Sequence, residues 1–288
     1  MPPLKETSPL RRKLGIELRL LREAAKLTAD EAAAALETSA STISRSETGK
    51  VNVHPRDVDA MLRLYGLNDD RKREALVAIA RKSRERGWWH EFRTVVSTDL
   101  ANYMSIEYGA SSIRIFQTLL VPGLLQTKEY TRSVATVFPR ADTDSPETIE
   151  QLMEIRLRRQ EMLLHKPEPV PLHVVLDESV LHRPIGGPGV MRNQLVRMLE
   201  LAHSEAVRLQ ILPYNVGAHV GLYGPFTLFG FAEPMDLDIV HVENHVNFIL
   251  VDDEEDIRHY EIVFQRVQES ALPEADSLAL VQEIAEGL

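Results

Sequence analysis

Leu10, Leu14, Leu18, Leu21 and Ala25 recur three or four residues apart, the spacing that gathers apolar side chains on one face of an α-helix. Arg11, Arg12, Lys13, Arg19 and Arg22 fall between them and are expected on the surface of this first helix. Thr28-Ala-Asp-Glu31 has the form of a capping box, in which the threonine oxygen accepts from the third helical amide and the glutamate reaches back to the cap. It predicts a second, alanine-rich helix ending near Leu36. Ser39 predicts the cap of a third helix that runs to about Glu47 and closes at Thr48-Gly49, where glycine tolerates the left-handed backbone. His54-Pro55 opens a fourth, with Val58, Met61, Leu62, Leu64 and Tyr65 apolar and Gly66 ending it, and a highly charged fifth covers 69–86.

Residues 1–80 therefore read as an all-α, five-helix domain. Gly87-Trp-Trp-His90 interrupts the charged pattern, and 81–104 reads as a connecting helix or linker. From 105 to 288 the pattern changes to short β-like runs at 113–120, 172–176, 207–212, 226–231, 238–242 and 246–251. Helical patterns separate them at 128–135, 145–164, 190–203 and 254–269, with one more after Pro273. The fold class predicted is multi-domain, all-α followed by mixed α+β.

Charge changes this picture. The net charge of -10 disfavours nucleic acid as a partner, but residues 1–93 hold 19 Lys/Arg against 14 Asp/Glu, and the remainder 14 against 29. Only the first third suits a phosphate backbone. With no cysteine, disulfides, thiolate zinc sites and thiol nucleophiles are excluded. No apolar run approaches the roughly 20 residues of a membrane span, and the N-terminal residues lack the apolar core of a signal peptide. A cytoplasmic protein without membrane contact is expected.

Two short helices joined by a tight turn suit DNA reading, because the second fits the major groove and its N-terminal side chains reach base edges. Helical spacing turns Ile43 inward and Ala40, Ser41, Ser44 and Arg45 outward. Arg45 is the strong base reader, able to grip guanine with its planar fork, while Ser41 and Ser44 suit several bases and Ala40 suits a thymine methyl. From Leu27-Thr28 through Glu31-Ala-Ala33 to Ser39-x-Ser-Thr-Ile-Ser-Arg45-x-Glu47-x-Gly49-Lys50, the sequence resembles the Xre, or phage-repressor, type of helix-turn-helix. That resemblance implies base-facing Ala40, Ser41, Ser44 and Arg45, phosphate-facing Thr42 and Lys50, and a structural Glu47. Thr28 and Ser39, at the two helix starts, complete the expected DNA-binding set. Two positions depart from the family: Ala29 stands where glutamine is usual, and Glu37 where glycine is usual.

Phe116-Gln-Thr-Leu-Leu-Val-Pro-Gly-Leu-Leu-Gln-Thr127-x-x-Tyr130 resembles the opening of the C-terminal domain of actinobacterial WhiJ-type regulators. The resemblance implies an antitoxin-like domain that senses an effector or a small co-encoded protein. From the residues alone, Val121-Pro-Gly123 is a turn in which glycine supplies a special backbone angle, before a helix capped by Thr127. Asp177, Glu178 and Arg183, with His219 in a Gly-rich connection, are candidates for a ligand or partner pocket, against solvated loop charges as the alternative. His241-Val-Glu-Asn-His245 lacks the helical spacing of a zinc protease motif, and Gly186-Gly-Pro-Gly189 lacks the Lys-Ser/Thr of a phosphate loop. No enzyme activity, cofactor or metal is expected. The predicted function is a sequence-specific transcriptional regulator, homodimeric on double-stranded DNA, with antitoxin-like neutralisation of a small partner as the alternative.

Overall fold

The computed structural model describes residues 9–84, 87–137, 146–164, 168–231, 238–243 and 248–288. They fall into two compact units, one holding the helices up to Gly109 and the other the sheet and remaining helices from Ala110. The first is all helical and the second is mixed α and β, as the sequence pattern predicts.

The first unit contains α1 (Pro9–Ala24), α2 (Ala29–Ala35), α3 (Ala40–Glu47), α4 (Pro55–Leu64), α5 (Asp70–Lys82) and α6 (Thr98–Gly109). Leu14, Leu18, Ala32, Ala33, Ile43, Val58, Met61, Leu62 and Leu76 form its core, so the 3.6-residue pattern locates the buried faces. The connection carries a short 3-10 turn, Trp88–Phe92, and α6, the one long helix whose own pattern is weak. Arg22 and Lys13 are not on the surface as expected, but buried; for Arg22 the reason is an acidic partner brought from 25 residues away.

The first four helices end alike. After α3 and α4, Gly49 and Gly66 take left-handed φ values of 66° and 77°, and the following amides close back on Arg45 and Leu62. This is the Schellman closure. The same closure follows α1 and α2, but Lys26 and Glu37 hold the left-handed position, at 59° and 51°. An L side chain there costs roughly 1–2 kcal/mol. The departure at Glu37 is thus a strained position in the turn before α3.

The second unit is built on a six-stranded sheet of order β3-β2-β1-β4-β5-β6. Its strands are β1 (Ser112–Gln117), β2 (Leu172–Asp177), β3 (Val207–Leu212), β4 (Phe226–Gly230), β5 (Ile239–Glu243) and β6 (Phe248–Val251). The first three are parallel and the rest antiparallel. The β1–β2 crossover contains α7 (Lys128–Val137) and α8 (Pro146–Leu164), and the β2–β3 crossover contains α9 (Ser179–His182) and α10 (Pro188–Ala202). Within the crossovers α8 and α10 both contact α7, and α10 contacts β3, so these helices lie together on one face. On the opposite face Phe116, Val175, Phe226, Leu228 and Val240 pack against Ile257, Phe264 and Val267 of α11 (Glu254–Ser270). The chain then enters α12 (Glu274–Gly287), which contacts α10 and β3.

Two predictions follow from this packing. Glu37→Gly relieves the left-handed strain and should raise stability by about 1 kcal/mol, read as a higher thermal midpoint of the helical unit. His241 on β5 is 5% exposed, and burial, reinforced by the charge of Arg159, lowers its pKa to about 4. The unfolded chain therefore takes up the proton first. Stability is fully present above the ordinary value of 6.5 and declines as pH falls towards 4, by about 3 kcal/mol in all. His241→Gln should flatten the fall of the urea midpoint between pH 6.5 and 4, leaving the part due to His173, which burial also lowers.

Candidate nucleic-acid interface

The α2–turn–α3 segment is fixed by local hydrogen bonds. Thr28 Oγ1 accepts from Glu31 N–H at 3.2 Å while Glu31 accepts from Thr28 N–H at 2.8 Å, completing the capping box. These contacts hold the Glu31 carboxyl below its ordinary pKa. Ser39 Oγ accepts from Thr42 N–H at 3.1 Å and lies 2.9 Å from Thr42 Oγ1. At the far end Thr48 Oγ1 donates to Ser44 C=O at 2.8 Å.

Behind α3 sits the strongest polar contact of this unit. Arg22 Nε and Nη2 donate to the two carboxylate oxygens of Glu47 at 2.6 and 2.8 Å, and Arg22 Nη1 donates to Leu27 C=O at 2.7 Å. Both side chains are buried, and the hydrogen bonds to Glu47 raise the Arg22 pKa against the effect of burial. One guanidinium therefore ties α1 to the end of α3 and to the segment entering α2. Gly15 permits this approach: a Cβ there would lie 2.4 Å from Glu47 O. Neither Arg22 nor Gly15 stood out in the sequence. Arg22 shares the spacing of Leu14, Leu18 and Leu21 closely enough to reach the core side, but its charge reads as surface.

With its back held, α3 presents Ser39, Ser41, Ser44 and Arg45 to solvent. Lys50, just past the helix, and Thr28, before α2, are also exposed. Ala40 and Thr42 are half-buried, Ala40 packing against the core and Thr42 engaged with Ser39. Arg45 Nε donates to Ser41 C=O at 3.3 Å, and no acid among the described residues pairs with it. The exposed positions form one face of small hydroxyls around a single guanidinium. Such a face can approach base edges closely and discriminate mainly through Arg45.

In the second unit Asp177 Oδ1 accepts from Ser179 N–H at 2.9 Å, and Asp177 Oδ2 lies 3.9 Å from His219 Nε2. Glu178 accepts from Tyr214 N–H at 2.8 Å with one oxygen and meets His182 Nε2 at 3.1 Å with the other. Arg183 is exposed just beyond α9. The structure gathers Asp177, Glu178 and His219 at the carboxyl end of β2 and in the connection after β3, with both carboxylates accepting from backbone amides. Of the histidines in the 241–245 segment, His245 lies outside the described residues, and among the described residues no group of three or more metal-ligating side chains gathers.

The Val121–Thr127 motif has a structural explanation. Tyr130 Oη accepts from Val121 N–H at 3.2 Å, Gln126 Nε2 donates to Val121 C=O at 2.6 Å, and Gln160 Nε2 donates to the carbonyls of Gly123 and Gln126. Gln194, fully buried, donates to Leu125 C=O and accepts from Thr127 N–H, both at 2.8 Å. Gly123 does not supply a special backbone angle, contrary to the expectation above, since its φ is not positive. A Cβ there would meet the Arg156 guanidinium at 3.6 Å and Arg159 Nη1 at 3.7 Å, ordinary contact distances, so space does not require glycine either.

A capped helical pair with its second helix held from behind defines a helix-turn-helix module, joined here to an α+β domain. Residues 13–76 match the family model described as Helix-turn-helix domain. Residues 100–283, more than half of the chain, match the model described as Domain of unknown function (DUF5753), and the protein belongs to that family. No curated protein and no solved structure matches the chain.

The Arg22–Glu47 pair sets a prediction for the module. Glu47→Ala strands a buried guanidinium and should cost about 3 kcal/mol, the range for breaking a buried pair from one side. Chemical denaturation of the helical unit, followed by Trp88 and Trp89 fluorescence, measures it.

Proposed function

We propose that the protein is a sequence-specific DNA-binding transcription regulator of the Xre type, which binds as a homodimer and whose second domain senses a small partner protein or ligand. The observation that carries this reading is the exposed face of α3, where Ser41, Ser44 and Arg45 stand clear on a helix held from behind by Arg22 and Glu47. A rigid helix with small hydroxyls beside one exposed arginine fits the major groove without steric obstruction. The charge division supports the same assignment, since the first 93 residues carry the basic excess and the rest the acidic one. Dimerisation supports affinity, because one short reading face with one strong base contact discriminates weakly and two on a palindrome multiply it. The protein acts in this reading by binding and not by catalysis.

Binding of the purified protein to its own promoter region tests this. Arg45→Ala should weaken the preferred site by about 1–3 kcal/mol and relax its specificity at one base position. Lys50→Ala should weaken preferred and random sequences alike and reduce the salt dependence by about one counterion. An unaltered sequence preference in the Arg45 variant would remove α3 as the reading element.

A further inference from the structure

We infer that the outer edge of β6 is a docking strand for an extended, basic segment of another polypeptide, which would add a seventh strand to the sheet. The sheet has two terminal strands, and the chain treats them differently. At β3 the edge is covered at Ile211. Ile211 C=O accepts from Leu272 N–H at 2.9 Å, Ile211 N–H donates to Ser277 Oγ at 2.9 Å, and Gln210 Nε2 donates to Leu272 C=O at 2.9 Å.

At β6 no such closure exists among the described residues. The strand pairs with β5 alone, from Val240↔Val251 to Glu243↔Phe248. Alternate backbone N–H and C=O groups of a terminal strand point away from the sheet and template a further strand. Proteins usually blunt such an edge with lysine, proline or a bulge. The run Phe248-Ile-Leu-Val251 contains neither lysine nor proline, and its register with β5 is continuous. Ile249 is 48% exposed on the same sheet face as Val251, where it offers apolar area to a side chain of an added strand.

Charge selects the occupant. The strand leads directly into Asp252-Asp-Glu-Glu-Asp256, five successive acidic residues, and Glu243 stands exposed on β5 beside the other end. Asp253 is used as the cap of α11, and Arg258 meets Glu254 at 3.1 Å. Glu255 and Asp256 remain exposed in the first turn. A second copy of the chain, paired antiparallel about a two-fold axis, would direct its own acidic run towards Glu243, like charge on like. A segment of alternating β-branched residues with Lys or Arg at the end facing 252–256 satisfies the backbone ladder and the charge together. The inference deepens the partner-sensing reading and rests on it, naming the surface and the chemistry of what it receives.

Hydrogen exchange and peptide selection on the full chain test it. In the free protein the outward amides of 248–251 should exchange at least about tenfold faster than the Ile211 amide, which donates to Ser277. Equal protection would overturn the inference. A displayed library of peptides about ten residues long should yield alternating β-branched sequences with a basic end, and a synthetic peptide of that sequence should slow exchange at 248–251. It should bind the Glu255→Gln/Asp256→Asn variant about fivefold more weakly, and N-methylation of its sheet-facing amides should abolish binding. Selected sequences without basic residues, equal affinity for the charge variant, or protection that rises with protein concentration alone, the mark of a second copy, would each sink the proposal. None of these readings uses DNA, so failure of the promoter experiment and failure here are separate results.

Discussion

The ion pair between Arg22 and Glu47 is the contact on which the helical unit depends. Helix propensity and apolar periodicity form α1, α2 and α3 one by one, but short helices gain most of their stability from tertiary contacts. Here the guanidinium fork fixes three things at once: the end of α3 through both carboxylate oxygens, the entry to α2 through Leu27 C=O, and the crossing with α1 that Gly15 allows. A buried pair of this kind contributes little net stability compared with an apolar replacement, because two charges have left water. Its value lies in geometry. The pair admits one arrangement of the helices, and the orientation of Ser41, Ser44 and Arg45 follows from it.

The second unit solves a related problem with neutral groups. The turn at Val121–Gln126 after β1 is largely buried, so the backbone groups left over by regular structure need side-chain partners. Gln126 and Gln194 each donate and accept, Gln160 donates to two carbonyls, and Tyr130 and Thr131 complete the network. The motif is specific because each of these side chains addresses a particular carbonyl or amide. Its residues are thus accounted for by the architecture of the turn.

Local signals made much of this legible. Thr28, Ser39 and His54 announce helix starts through chemistry confined to three or four residues, and Gly49 and Gly66 announce ends. All six β-like runs contain strands, with ends displaced by up to three residues, because alternation and β-branching are read within the run itself. What escaped is non-local. Nothing near Arg22 in sequence shows that Glu47 waits for it, and a charged residue reads as exposed until its partner is placed. The four-residue α9 likewise carries too little periodicity to be recognised alone, whereas α6 begins within the expected connecting helix. For the candidate site the exposed face of α3 was readable because it follows from helical phase, whereas the half-burial of Ala40 depends on the core it meets.

The closure of β3 by the segment before and within α12 has a consequence for how the chain is made. The side-chain contacts that seal this edge span 62 and 66 residues, so the strand is synthesised well before its cover. Contacts of such separation form late, since the intervening chain must first lose its freedom. During translation β3 is therefore made before the segment that covers it, and α12 acts as the latch at Ile211. A chain interrupted between Val251 and Leu272 would carry its strands without that cover, which makes the segment 272–277 a determinant of solubility during biogenesis as much as of final stability.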